Sequence, residues 1–270
     1  PNSFSSTSQN PNITSVTTSA SGTYSVTATV GGCPTSSVGT TAVTINPTPS
    51  APSASSNSTV CSGQTLSLTA SLVYGATYSW TGPSSFSSTS QNPTIASVTT
   101  SKAGTYSVTV TASGCTSPKG TTTVVINQTP SAPTTSSNSP VCAGNTLSLT
   151  ASTVSGATYS WTGANSFSST SQNPTIGTIA TNNAGTYSVT ATVSGCTGNV
   201  GTTTVVVNPI PASPTASSNS TLCSGQTLSL TASVVSGATY SWTGPSSFTS
   251  TSQNPTIVNV TTAKAGTYSV

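Results

Sequence analysis

The stretch PTIASVTTSKAGTYSV at residues 93–108 decides the fold of this chain. Its last part, continued as TYSVTV at 105–110, alternates polar and apolar side chains. Alternation with a period of two predicts a β-strand that has one buried and one exposed face. The core AGTYSV returns at 184–189 and 265–270, and SGTYSV stands at 21–26. We therefore expect the same half-buried strand four times.

Other motifs repeat with the same spacing. Successive tryptophans, Trp80, Trp161 and Trp242, are 81 residues apart. TLSLTAS occurs at 65–71, 146–152 and 227–233, and STSQNP at 6–11, 88–93, 169–174 and 250–255. A period of this length is too long for one turn of a solenoid and suits a small domain. The predicted repeats are a C-terminal part at 1–47, complete repeats at 48–128 and 129–209, and an N-terminal part at 210–270.

Within one repeat, several short runs alternate in the same way. Leu66, Leu68 and Ala70 form one such run, and Tyr78 and Trp80 belong to another. TTTVVIN at 121–127 adds a closing strand, and the Pro-rich segments at 47–52, 128–133 and 209–214 indicate joints between repeats. Seven or so short strands in about 81 residues predict a two-sheet β-sandwich. The expected fold is all-β, a tandem array of such sandwiches.

The run at 93–108 resembles the E–F region of immunoglobulin-like domains, where an L-x-I-x-x-V strand leads into D-x-G-x-Y-x-C. Ile95 and Val98 match the strand, Gly104 the turn and Tyr106 the tyrosine corner. Two positions depart from the pattern, because Lys102 replaces the acidic residue and Val108 the core cysteine. The resemblance implies a core of Trp80, Ala70, Val108, Leu68 and Ile95 without the central disulfide. The fold-core residues of the successive repeats are Trp80, Tyr106, Trp161, Tyr187, Trp242 and Tyr268.

In style, the repeat is similar to the immunoglobulin-like and PKD-like repeats of very large surface proteins of Bacteroidota. The features that carry this resemblance are VCSGQTLSLTAS, YSW, AGTYSV, SGC and TTTVVIN in tandem with Pro-rich joints. Gliding-motility adhesins and other substrates of type IX secretion belong to that group. The resemblance implies an extracellular or cell-surface location.

Composition excludes several classes of function. The chain has 270 residues, of which three are Lys and none is Arg, Asp, Glu or His. General acid–base catalysis needs a carboxylate or an imidazole, and a Ser or Cys nucleophile needs a neighbouring base. Calcium and magnesium sites need carboxylates, and the six cysteines show no CxxC clustering. We therefore expect no enzyme, catalytic residue, metal or cofactor.

The same composition limits the partners. A net charge of +3 without arginine lacks the phosphate-neutralising groups that nucleic-acid binding requires. No apolar run approaches the roughly 18 residues of a membrane-spanning helix, so we expect no span in this segment. The sequence begins without Met and stops within a motif, and we expect it to be a segment of a longer protein.

The cysteines form a regular set that favours disulfides over buried free thiols. Cys61, Cys142 and Cys223 precede the second strand of a repeat, and Cys33, Cys115 and Cys196 follow the AGTYSV strand. One alternative is pairing within a repeat, as Cys61–Cys115 and Cys142–Cys196.

The immunoglobulin resemblance implies a different pairing. It places Cys61 and Cys115 at opposite poles of one sandwich, roughly 50 Å apart, which is beyond the reach of a disulfide. In a head-to-tail row it brings Cys61 toward Cys196, so that the bond links successive repeats, and the other four cysteines pair beyond the sequence. We predict this interdomain pairing and leave the intradomain alternative open.

The sequence favours a structural and adhesive segment of a long extracellular surface filament, used in surface attachment or gliding. Its expected partners are neighbouring repeats of the same chain, and surfaces or polysaccharides. The alternative is an array of carbohydrate-binding modules from a secreted polysaccharide-degrading system. In that alternative, Phe86 is the aromatic side chain expected to be exposed for stacking on sugars.

Overall fold

A computed structural model describes residues 1–34 and 37–270 of the chain. In this part of the chain the helical elements are short 3₁₀ turns, and the remaining regular structure is β. The contacts divide the chain into two compact units. The first contains Pro1–Thr134, Ser152–Ser160 and Val189–Gly201, and the second contains Thr135–Ala151, Trp161–Ser188 and Thr202–Val270.

The repeat 48–128 lies wholly in the first unit and contains two main sheets and a separate two-stranded parallel pair. Its strands are Ala54–Ser56, Val60–Cys61, Leu66–Ala70, Thr77–Gly82, Phe86–Ser88, Thr94–Ile95, Gly104–Ala112, Cys115–Thr116, Gly120–Val124 and Ile126–Asn127, with a 3₁₀ turn at Thr100–Lys102. One sheet places Leu66–Ala70 between Thr94–Ile95 and Ala54–Ser56. The other sheet is built on Gly104–Ala112, which pairs antiparallel with Thr77–Gly82, Gly120–Val124 and Cys115–Thr116.

The two sheets enclose the core because their alternating apolar side chains point inward. Leu66, Leu68 and Ala70 from one sheet meet Trp80 and Val108 from the other, and all five are buried. Ile95 is half-buried at the edge of this cluster. This strand order and this pattern of burial are those of an immunoglobulin-like sandwich, so the predicted all-β fold is confirmed.

The tyrosine of the repeated AGTYSV motif anchors the chain just before its strand. The Tyr106 hydroxyl donates a hydrogen bond to the carbonyl of Lys102, four residues earlier, at 2.8 Å. The ring of Tyr106 lies so close to Gly82 that an added Cβ there would collide with it. Tyr24, Tyr187 and Tyr268 make the same hydrogen bond four residues back. The recurring motif therefore fixes one corner in each repeat.

The closing strand is not the single strand that TTTVVIN predicts. It breaks at the exposed Val125 into Gly120–Val124 and Ile126–Asn127. The second piece leaves the antiparallel sheet and pairs in parallel with Val60–Cys61. Val98 is predicted to belong to the same strand as Ile95, but the observed strand is Thr94–Ile95, and Ser97, with a φ of 48°, turns the chain before Val98.

The remaining strands repeat this plan. In 1–47 they are Gly22–Val26, Thr29–Val30, Cys33–Pro34 and Gly39–Val43, after a 3₁₀ turn at Thr18–Ala20. In 129–209 they are Thr135–Ser137, Val141–Cys142, Leu147–Ala151, Thr158–Gly163, Phe167–Ser169, Thr175–Ile176, Gly185–Val193, Cys196–Thr197, Gly201–Val205 and Val207–Asn208, with a 3₁₀ turn at Thr181–Asn183. In 210–270 they are Ala216–Ser218, Leu228–Ala232, Trp242–Gly244, Phe248–Ser250 and Thr256–Ile257, with a 3₁₀ turn at Thr262–Lys264.

Within the second unit, Leu147–Ala151 pairs with Thr135–Ser137 on one side and Thr175–Ile176 on the other. Leu228–Ala232 is flanked in the same way by Ala216–Ser218 and Thr256–Ile257. Trp161 and Trp242 are buried, as Trp80 is in the first unit. The three predicted boundaries between repeats remain predictions, since the two compact units follow a different division of the chain.

Candidate functional site

The parallel pairing of Val60–Cys61 with Ile126–Asn127 places Cys61 beside the C-terminal end of the repeat 48–128. In that pairing Cys61 is the register neighbour of Asn127, and Val60 of Ile126. Val60 and Ile126 are buried, and they hold the two-residue strands in place. Cys61 and Asn127 are therefore presented side by side, next to the Pro-rich segment that begins at Gln128.

Cys196 stands at the tip of a β-hairpin. Val193 and Cys196 face each other across the two-residue loop Ser194–Gly195. Both loop residues have positive φ, 49° for Ser194 and 80° for Gly195, as a type I′ turn requires. Ser113–Gly114 forms the same turn before Cys115. The SGC motif is thus a tight hairpin whose first residue after the turn is cysteine.

The structure joins Cys61 to Cys196 in a disulfide. Their Cα atoms are 5.6 Å apart and the residues are separated by 135 positions in sequence. This Cα separation lies within the range that a disulfide requires. Cys196 is buried and Cys61 is half-buried. Both cysteines belong to the first compact unit.

Polar contacts surround the bond. The Asn127 Nδ2 donates a hydrogen bond to the carbonyl of Ser194 at 2.9 Å, and the Cys196 Sγ lies 3.9 Å from the Asn127 carbonyl oxygen. The backbone N–H of Thr129 donates to the Ser62 hydroxyl at 2.8 Å, and the Thr129 hydroxyl donates to the Ser62 carbonyl at 2.7 Å. We call Cys61, Ser62, Asn127, Thr129, Ser194 and Cys196 the disulfide junction.

A second set of residues repeats part of this arrangement without a disulfide. The Asn46 Nδ2 donates to the carbonyl of Ser113 at 2.8 Å, and the Cys115 thiol donates to the Asn46 carbonyl at 3.5 Å. We call Asn46, Ser113 and Cys115 the open junction. It also lies within the first compact unit.

In residues 1–34 and 37–270, Cys33, Cys115, Cys142 and Cys223 carry free thiols. The structure does not bring Cys61 to Cys115, and Cys196 is bonded to Cys61 rather than to Cys142. Cys142 is nevertheless placed as Cys61 is, because it pairs in parallel register with Asn208. The Cys–Asn neighbour pair therefore occurs in both units.

The Pro-rich segments are packed more closely than a free linker. Pro52 and Pro133 are buried. An added Cβ on Gly120 would collide with the carbonyl oxygen of Pro52. This packing is compatible with the prediction that the Pro-rich segments mark joints between repeats. It also shows that these segments are packed against the sandwich and are not free linkers.

The STSQNP motif has a role that the sequence did not reveal. The Gln91 Nε2 donates to the Ala70 carbonyl at 2.9 Å, and the Asn92 Oδ1 accepts from the Ala70 N–H at 3.2 Å. The indole N–H of Trp80 donates to the Gln91 carbonyl at 3.2 Å. The two side chains thus satisfy both backbone groups of the last residue of a strand. The same bonds recur at Gln172 and Asn173 and at Gln253 and Asn254.

The expectation of an exposed Phe86 is wrong. Phe86 is half-buried, packs on the core cluster and lies edge-to-face on Tyr106, with ring centroids 5.4 Å apart. It is half-buried because its short strand pairs with Thr77–Gly82, which brings the ring over Tyr106. The exposed aromatic of this repeat is instead Tyr74, whose side chain is 88% exposed.

Burial affects the ionisation of two corner tyrosines. It raises the pKa of Tyr106, and it raises the pKa of Tyr187 against the lowering effect of a hydrogen bond to Asn183. In the part of the chain described here, no group of cysteines is placed to hold a metal ion, and no helix is long and apolar enough to span a bilayer.

These pKa directions predict the pH dependence of stability. No side chain of the sequence ionises between about pH 4 and 7, because Asp, Glu and His are absent. Because the pKa values of Tyr106 and Tyr187 are raised in the folded state, their contribution to stability is complete below the pKa of tyrosine in the unfolded chain, about 10. It is lost as the pH rises above that value, since the tyrosines ionise more easily in the unfolded chain. We expect urea midpoints that are constant from pH 4 to 7 and fall above about pH 10. A midpoint that shifts between pH 4 and 7 would contradict this expectation.

Comparisons with known proteins give a likeness of fold. No protein-family model and no curated protein matches the chain. The crystal structure of murine CEACAM1b is 15% identical, covers 59% of this chain and 100% of its own, and has a TM-score of 0.37. The three N-terminal domains of the bacteriophage RB49 Highly Immunogenic Outer Capsid protein are 16% identical, cover 76% of this chain and 80% of their own, and have a TM-score of 0.32. The full ectodomain of mouse nectin-like molecule 4 is 13% identical, covers 77% of this chain and 89% of its own, and has a TM-score of 0.38. These likenesses are distant, and the fold assignment rests on the strand order.

Proposed function

We propose that this chain is a structural and adhesive segment of a long extracellular surface filament, of the type found in large Bacteroidota surface proteins such as gliding-motility adhesins. The observation that carries the proposal is the Cys61–Cys196 bond, which connects the predicted repeats 48–128 and 129–209. A covalent link between successive sandwiches carries tension from one repeat to the next and shields the residues between the two cysteines from it. Its partners are the neighbouring repeats and the surfaces to which the filament attaches.

Two further features support a mechanical role. The sequence has no carboxylate or imidazole that could catalyse proton transfer. The motifs that recur in each repeat have structural tasks, since AGTYSV forms the corner and STSQNP closes the end of a strand. The disulfide separately supports the extracellular location, because disulfides form and persist in oxidising environments.

Non-reducing peptide mapping tests the pairing on which the proposal rests. Lysine occurs only at 102, 119 and 264, so trypsin separates Cys61 in 1–102 from Cys115 in 103–119 and Cys196 in 120–264. We expect 1–102 to be linked to 120–264. Cleavage at Tyr159 and Tyr187 with chymotrypsin then separates Cys142 from Cys196, and fragment-ion sequencing of the linked peptide distinguishes Cys61 from Cys33 and Cys196 from Cys223.

The matched control is Cys196→Ser, in which the linked peptide should disappear. A link between 1–102 and 103–119 would show pairing within a repeat and would contradict the proposal. Attachment of beads coated with the intact chain to polysaccharide surfaces then tests adhesion directly. Saturable binding to one glycan that is lost in Tyr74→Ala would instead support the alternative of a carbohydrate-binding module.

A further inference from the structure

Asn46 and Asn127, at the ends of two repeats, make the same contact, one without a disulfide beside it and one with it. Asn127 binds the Ser194 carbonyl at 2.9 Å beside the Cys61–Cys196 bond, and Asn46 binds the Ser113 carbonyl at 2.8 Å in the open junction. The nearly equal distances show that the contact does not depend on the covalent bond. Docking of the hairpin by asparagine is therefore separable from oxidation.

The bonded carbonyl is one that the hairpin cannot satisfy by itself. In a two-residue turn, the flanking residues pair with each other, and the carbonyl of the first loop residue has no partner in the ladder. Such a group favours an external donor. The carboxamide N–H of asparagine supplies that donor, while serine, threonine or a charged carboxylate at the same position would be too short or would lack the N–H.

The contact also places the thiol. The Cys115 thiol donates to the backbone carbonyl of the same Asn46 whose side chain binds Ser113, so one residue holds the hairpin at two points. In the disulfide junction, the residue that docks the hairpin is the register neighbour of Cys61. When Asn127 binds the hairpin, it therefore brings Cys196, the first residue after the turn, close to Cys61.

We infer that Asn127 is a positioning residue that docks the Ser194–Cys196 hairpin onto the preceding repeat and so directs Cys61 to Cys196; Asn46 and Asn208 are assigned the same task at their own positions. This inference rests on the proposed function, because it concerns how the link between repeats forms. Its partner is specific: a type I′ hairpin with cysteine as the first residue after the turn.

Oxidation by a small-molecule disulfide then proceeds in two steps. One cysteine thiolate attacks the reagent, forms a mixed disulfide and releases one reagent thiolate. The second cysteine thiolate attacks the protein sulfur of the mixed disulfide, forms the Cys61–Cys196 bond and releases the second reagent thiolate. The protein loses two electrons and the reagent gains them. Docking by Asn127 acts on the second, intramolecular step.

The test uses the full chain, reduced and then oxidised with glutathione disulfide, with acid-quenched samples analysed by peptide mapping. The variant is Asn127→Leu, which has a similar shape and no N–H donor. We expect closure of the Cys61–Cys196 bond to slow by about two- to tenfold, the effect of one hydrogen bond. Formation of the first mixed disulfide should keep the wild-type rate, which a general loss of structure would not preserve.

Asn208→Leu is the matched control, because it removes the equivalent asparagine beside Cys142 and should leave closure of Cys61–Cys196 unchanged. If Asn127→Leu closes the bond at the wild-type rate, the inference is wrong while the proposed function stands. If the wild-type chain does not form the Cys61–Cys196 bond at all, the proposed link fails first, and the inference fails with it.

Discussion

Replacing Trp80 by alanine is expected to lower the free energy of unfolding of the repeat 48–128 by about 3–5 kcal/mol. The Trp80 side chain is fully buried between the two sheets, among Leu66, Leu68, Tyr106 and Val108. Its removal leaves a cavity that rigid strands fill only partly, and it also removes the N–H donor to the Gln91 carbonyl. The substitution therefore weakens the core and the strand-closing contact of STSQNP together.

Hydrogen exchange in the intact chain measures this effect for one repeat at a time. Amides of Leu66–Ala70 should exchange about a hundred- to a few-thousandfold faster in Trp80→Ala than in the wild type, the equivalent of the lost stability. Leu147–Ala151 in the next repeat provides an internal control and should exchange as before. Tyr74→Ala, at a side chain that is 88% exposed, is the matched variant and should leave both strands unchanged. Unaltered exchange of Leu66–Ala70 in Trp80→Ala would show that the tryptophan is not part of the core.

The strands of the sandwich could be predicted because their information is local. Leu66–Ala70 and Thr77–Gly82 bury every second residue, and this alternation is visible in the sequence without knowledge of the partner strand. The immunoglobulin-like class followed from the position of Tyr106 relative to that pattern. These elements are specified by periodicity and by one motif.

The end of the repeat could not be predicted because its information is not local. Val124, Val125 and Ile126 form an uninterrupted apolar run, so the pattern gives no sign of the break between Gly120–Val124 and Ile126–Asn127. The second piece pairs with Val60–Cys61, a two-residue strand that is too short to produce a periodic signal. The neighbourhood of Cys61 and Asn127 depends on this pairing and becomes visible only in the structure.

The contacts of Asn127 and Gln91 were missed for a related reason. Both are polar residues that bind distant backbone groups, Ser194 and Ala70 respectively. The only sequence signal was their recurrence, as Asn46, Asn127 and Asn208 at the ends of repeats and as the Gln of each STSQNP. Repetition indicates that a residue is retained in each copy, but it does not distinguish a ligand contact from a structural hydrogen bond.

Reduction of the disulfide is expected to have the largest mechanical effect in this chain. When the two termini are pulled apart, tension enters residue 61, crosses the Cys61–Cys196 bond and leaves through residue 196. The intervening residues carry no force. The bond joins cysteines that are 135 positions apart, and an extended chain spans at most about 3.6 Å per residue. The bond therefore shortens the fully extended chain by about 490 Å, which is half of its extended length.

Force–extension measurement on single molecules tethered by their termini tests this account most directly. The fully extended oxidised chain should be shorter by about 450–490 Å than the same chain in reductant. Cys196→Ser should have the longer extension under both conditions, and Cys115→Ser, which removes an unbonded thiol, should behave as the wild type. Equal extension of the wild-type chain with and without reductant would mean that no link between residues 61 and 196 carries tension, and the account of this chain as a covalently joined filament segment would be wrong.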